Sequence, residues 1–133
     1  MSDRRNFLKA LGLSWLLPFA SGEKEVSKTK EVPLFDFFVA GYKYYDGYKA
    51  LFTLKAGDEV ILKREPDNEY DDQAVAVFTL DGYKLGYVPM ESNIVPVNIM
   101  DNEIPIVARV KEIDKLADDW EKVFISVSQI VNV

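Results

Sequence analysis

Two short stretches hold the residues best suited to chemistry. Gly41-Tyr42-Lys43-Tyr44-Tyr45-Asp46-Gly47-Tyr48 gathers four tyrosines and a lysine in a turn-like segment. Arg64-Glu65-Pro66-Asp67-Asn68-Glu69-Tyr70-Asp71-Asp72-Gln73-Ala74 is a long polar loop, entered through a proline and holding one aromatic ring. A tyrosine has a flat face for stacking and a polar tip, so tyrosines gathered on loops suit the binding of a flat ligand. The plainer alternative is that these rings cover the open end of a barrel with their hydroxyls in water. Paired acids would suggest catalysis or a divalent cation. Asp71 and Asp72, however, are adjacent, and on an extended segment they point opposite ways. Asp67, Glu69 and Asp71 alternate and share a face, but three acids on a loop are more simply solvated. The expectation is a binding module with no catalytic residues, no metal and no cofactor.

Composition narrows the class. The chain has 133 residues, 48% of them hydrophobic and 29% charged, with a formal charge of −6. An acidic chain does not hold polyanions by bulk electrostatics, so any nucleic-acid contact must be local. There is no Cys and no His. Disulfides, thiol catalysis, zinc fingers and Ser-His-Asp hydrolysis are therefore excluded.

The elements that must position the two stretches read as strands. Phe35–Val39, Glu59–Arg64, Ala74–Leu80, Tyr83–Val88, Ile104–Ile113 and Val123–Val131 are short and rich in β-branched and aromatic residues. Asp81-Gly82 between two of them predicts a hairpin in which both turn residues take positive φ. Glu91–Asn102 reads as a helix with Pro96 in its first turn or breaking it, and a second short helix is expected near Tyr44. Such spacing predicts a mainly β fold, a small, partly closed SH3-like or OB-like β-barrel with one or two short helices. The barrel domain is expected over 34–133, behind a flexible mixed-charge linker over 23–33.

Residues 1–22 read as a targeting segment. Arg4 and Arg5 precede the apolar run Ala10–Ala20, too short to span a bilayer but suited to a signal peptide. The string Arg4-Arg5-Asn6-Phe7-Leu8-Lys9 resembles a twin-arginine export signal, with Asp3 where Ser or Thr is usual. Ala20-Ser21-Gly22 offers a cleavage site, and removal takes three cations but only one anion, leaving a more acidic product. An ordinary N-terminal helix is the alternative, opposed by clumped rather than helically spaced apolar residues and by Pro18. Processing implies an exported protein of the periplasm or envelope without stable membrane insertion; an unprocessed chain would be cytoplasmic.

Three segments carry a family resemblance: Phe38–Tyr45, Leu62–Val75 with the pattern R-x-P-x-N-x-Y-D-x-x-A, and Leu85-Gly86-Tyr87-Val88-Pro89. In order and spacing the chain resembles the HIRAN domain from about Phe37 to Ile130, and Ile99-Met100-Asp101-Asn102 fits the end of that domain's helix. The resemblance implies a small barrel that captures the 3′ end of single-stranded DNA, in a family whose members usually accompany ATPase modules absent from this sequence. By the same resemblance Tyr44 and Tyr70 stack on the terminal bases, with Tyr45 beside them, and Asp71 accepts a hydrogen bond from the 3′-hydroxyl. Lys43 stands for a family arginine at the phosphodiester, without the bidentate fork. Asp67 and Asn68 fall near the nucleic-acid backbone, Tyr87 replaces a histidine, and Phe124 matches an aromatic on the late strand. Pro89-Met90-Glu91 replaces a lysine-containing stretch, so part of the cationic lining is gone.

Two functions follow. One is a non-catalytic module recognising single-stranded DNA 3′-hydroxyl ends. The other, favoured by export, is an envelope interaction module binding a peptide, glycan or protein partner through the same tyrosine-lined rim.

Overall fold

A computed structural model describes residues 28–133. The signal-peptide reading of 1–22 lies outside the described residues, as does the start of the expected linker. Six strands form one sheet: β1 (Thr29–Phe38), β2 (Glu59–Glu65), β3 (Ala74–Thr79), β4 (Lys84–Tyr87), β5 (Ile106–Ile113) and β6 (Val123–Asn132). Their order is β1-β6-β5-β2-β3-β4. The stretch 29–33, expected to be linker, belongs to β1. Its Pro33 is tolerated because β1 lies at the sheet edge, where a missing N–H disrupts no ladder. Glu31 and Asp36 on this strand pair with Arg109 (2.7 Å) and Lys111 (2.9 Å) of β5, which explains how a polar tract is held as strand.

The sheet curls until its two ends approach each other. Just past β1, Val39 donates to the Val123 carbonyl (3.0 Å), while Ala40 and Tyr87 exchange backbone hydrogen bonds of 2.8 and 2.9 Å. That bridge brings the chain leaving β1 against β4, so the barrel is partly closed, as the strand spacing implies. Gly86 makes the approach possible. It has φ 149°, and a Cβ there would collide with the Ala40 carbonyl oxygen.

β3 is buried on both faces, and β6 alternates with Val123, Ile125 and Val127 inward. These residues meet Phe37, Val39, Tyr42, Leu85 and Val110 in one core. The β3–β4 hairpin forms at Asp81-Gly82, but only Gly82 has positive φ (98°); Asp81 does not. The connection is longer than a two-residue turn, with Gly82 N–H bonded to the Thr79 carbonyl and Asp81 accepting from the Thr79 hydroxyl (2.6 Å).

The helical segments are short. A 3₁₀ turn (Tyr42–Tyr44) precedes α1 (Gly47–Ala50). The predicted helix over 91–102 is two pieces, a 3₁₀ turn (Met90–Ser92) and α2 (Ile94–Asp101), meeting at Asn93. Pro96 sits in the first turn of α2, where its missing N–H leaves no bond unmade. Among the described residues no helix is long and apolar enough to cross a membrane.

Candidate nucleic-acid interface

The two sequence stretches converge. Where the chain leaves β1, Gly41 takes a left-handed φ of 73° and turns it into the Tyr42–Tyr44 3₁₀ turn. Tyr42 is not on the rim with its neighbours; it is buried and its hydroxyl donates to the Gly47 carbonyl (2.6 Å). Tyr44 and Tyr45 are left facing outward, 74% and 42% exposed.

The loop after β2 is shaped by its own polar side chains. Asn68 Oδ1 accepts from the backbone N–H groups of Tyr70 (2.9 Å) and Asp71 (3.1 Å), an Asx-type turn. Arg64 clamps the loop from outside, donating to the carbonyls of Asp72 and Ala74 (both 3.2 Å) and to Asp101 at the end of α2 (2.9 Å). Tyr70 is thereby held out, 83% exposed. Asp71 is half-buried: Oδ1 accepts from the Gln73 N–H (2.9 Å) and Oδ2 from Asn93 Nδ2 (2.8 Å).

Between the stretches lies an open cleft of about 260 Å³. Tyr44, Tyr45, Asn68, Tyr70, Asp71 and Tyr87 all line it, together with Met90. Six of the nine residues singled out from the sequence are thus brought to one place. Three are not. Lys43 follows the rim, its ammonium 5.3 Å from the Tyr44 ring centre. Asp67 lies in the adjoining groove with Arg64, Glu65 and Pro66. Phe124 packs against Phe38, ring centres 4.5 Å apart, and under Lys111, away from the cleft. Its position on β6 puts it in a different part of the sheet from β4 and the rim.

Behind the rings is a network that the sequence did not reveal. Tyr87 donates to Glu65 Oε1 (2.6 Å), Lys84 Nζ donates to the Tyr87 hydroxyl (2.7 Å), and Asn68 Nδ2 donates to Glu65 (3.1 Å). Lys84 also reaches Glu65 Oε2 at 3.4 Å and stands 4.6 and 4.4 Å from the ring centres of Tyr45 and Tyr87. Burial pushes the Glu65 carboxyl up, but the Tyr87 and Asn68 hydrogen bonds and the Lys84 charge outweigh it and hold it below the usual range. For Lys84, burial pushes down and is outweighed by the Tyr87 bond and Glu65, so it stays protonated above its ordinary range. Burial and the bond to Glu65 push Tyr87 up. The result is a neutral ammonium–carboxylate pair that fixes Tyr87 and Tyr45, their rings edge-to-face at 5.7 Å. The Asn68 amide is consumed in the same network, so its part is to shape the loop and seat Tyr87. No sequence spacing points to Lys84 or Asn93, because the carboxylates they meet, Glu65 and Asp71, lie 19 and 22 residues away.

A curled six-stranded sheet with exposed tyrosines and a fixed carboxylate around an open cleft defines a small β-barrel binding module. The chain belongs to the HIRAN domain family, whose model matches residues 32–130. It is 35% identical over 66 residues to the helicase-like transcription factor of Oryctolagus cuniculus and 33% over 66 residues to that of Mus musculus. Those matches cover 50% of this chain but 6% of each relative's length. A crystal structure of a Lactobacillus plantarum protein superposes with TM-score 0.69 at 30% identity, covering 77% of this chain and 98% of that one. The crystal structure of the HIRAN domain of human HLTF superposes with TM-score 0.60 at 23% identity, covering 77% and 78%. That last likeness is one of fold.

Proposed function

We propose that the cleft captures the 3′ end of a single strand of DNA without catalysing a reaction on it. The observation that carries this reading is the convergence of Tyr44, Tyr70 and Asp71 on one cleft. The two exposed rings offer stacking faces to the last bases. Stacking of this kind is worth about 1–3 kcal/mol per base. Asp71, acceptor-only when ionised, takes the hydrogen bond of a free 3′-hydroxyl and repels a 3′-phosphate at the same spot. Lys43 contributes charge to a phosphodiester as a point cation. The paired Lys84 supports the rings and is not free for phosphate.

Fluorescence anisotropy with short labelled single strands tests the reading. A strand ending in a 3′-hydroxyl should bind more tightly than its 3′-phosphorylated counterpart and than a circular strand. Equal affinities, or no binding at low salt, would remove the reading.

A further inference from the structure

Asn93 occupies the position before α2 where an Asn ordinarily caps its own helix, accepting from the backbone N–H groups of the first turn. It makes no such bond. Instead its side chain, on a residue only 2% exposed, turns across the fold and donates Nδ2 to Asp71 Oδ2 at 2.8 Å. The chemistry fixes the amide's orientation, since an ionised carboxylate accepts only and must face the NH₂ group. The Gln73 N–H secures the other carboxylate oxygen at 2.9 Å. With one bond to each oxygen, the Asp71 carboxylate is locked against rotation, and each oxygen keeps a lone pair for a further donor. The carboxylate is part of the cleft wall, while Asn93 is not.

Resting on the 3′-end reading above, we propose that Asn93 is a positioning residue that sets the discrimination between 3′-hydroxyl and 3′-phosphate ends. It holds a negative charge where a hydroxyl donates to it and where a phosphate cannot displace it. A carboxylate free to swing aside gives a weaker bond to the hydroxyl and less repulsion of the phosphate. Stacking on Tyr44 and Tyr70 does not pass through Asn93.

The test is Asn93→Ser, with affinities measured for 3′-hydroxyl and 3′-phosphate strands of one sequence. Serine is a good helix cap but is too short to reach Asp71 from this seat, so the folded protein is retained and a melting curve verifies it. The expected result is a fall of about 5- to 10-fold in affinity for the hydroxyl end, unchanged or tighter binding of the phosphate end, and a specificity ratio near one. In an Asp71→Asn background the ratio is already near one, and Asn93→Ser should leave it there. Asn93→Ala serves as the second variant. A folded Asn93→Ser or Asn93→Ala protein that keeps the wild-type ratio overturns the role of Asn93 alone. A wild-type protein with no preference for hydroxyl ends overturns the functional reading, and the role of Asn93 with it.

Discussion

At the scale of single residues, the cleft sets the exposed rings of Tyr44 and Tyr70 beside an Asp71 carboxylate held by Gln73 and Asn93. Tyr44 stands out because tyrosines crowd its stretch, Tyr70 because it is the one aromatic ring of a long polar loop, and the structure leaves both rings exposed. Replacing either with Ala should weaken binding of a 3′-hydroxyl strand by about 5- to 150-fold, the equivalent of about 1–3 kcal/mol per stacked base. Because neither ring is packed in the core, melting temperatures should stay within a degree or two; anisotropy and thermal melts on the same samples check both halves. Tyr45 differs from them. Its ring meets Tyr87 and Lys84, a dependence that no local pattern announces. Asn93 hides for another reason: the sequence places it inside the helix expected over 91–102, whereas its amide is spent on Asp71, 22 positions earlier.

At the scale of elements, the strands were legible because they are short runs rich in β-branched and aromatic residues, alternating plainly in β6, and the Asp81-Gly82 signal marks its hairpin. The edges were less so. Residues 29–33 look like linker because their charges are balanced locally, yet Glu31 finds its ion-pair partner far along the chain at Arg109 of β5. The loop over 66–73 shows the same contrast. Its motif is plain in the sequence, but the job of Arg64 is to grip two carbonyls and Asp101 rather than a phosphate. A lysine cannot make that planar, multi-armed grip. Arg64→Lys should therefore loosen the loop while sparing the core. The expected outcome is faster amide exchange at Tyr70, Asp71 and Gln73, about a 3- to 10-fold loss of binding, and little change in urea midpoint. Hydrogen-exchange mass spectrometry beside urea titration checks it.

At the scale of the whole molecule, charge and burial set how the protein responds to its surroundings. Burial first, then the neighbouring Tyr48 and Asp119, push the Tyr42 phenol up to about 12 from an ordinary 10.0. The folded state keeps that proton where the unfolded chain has lost it. The contribution is complete below pH 10 and disappears as pH climbs from 10 to 12, about 2–3 kcal/mol in all. Urea unfolding at pH 9 and 12 should show wild type losing that much more than Tyr42→Phe. Salt should matter little by comparison. Arg64, Lys84, Arg109 and Lys111 are paired with carboxylates, while Lys43 makes no ion pair among the described residues. With one or two phosphates neutralised, the logarithmic slope of affinity against salt should lie between about −0.7 and −1.4 for a single strand; anisotropy across roughly 20 to 200 mM salt reads it. So shallow a slope has a consequence for what end capture would count. A strand held at one or two phosphates is gripped by its end and not along its length, so long polymers offer no more footholds than short ones. At constant mass of DNA, cutting strands so that each break leaves a free hydroxyl should multiply the occupied sites in step with the number of breaks, making the protein a gauge of fragmentation rather than of quantity.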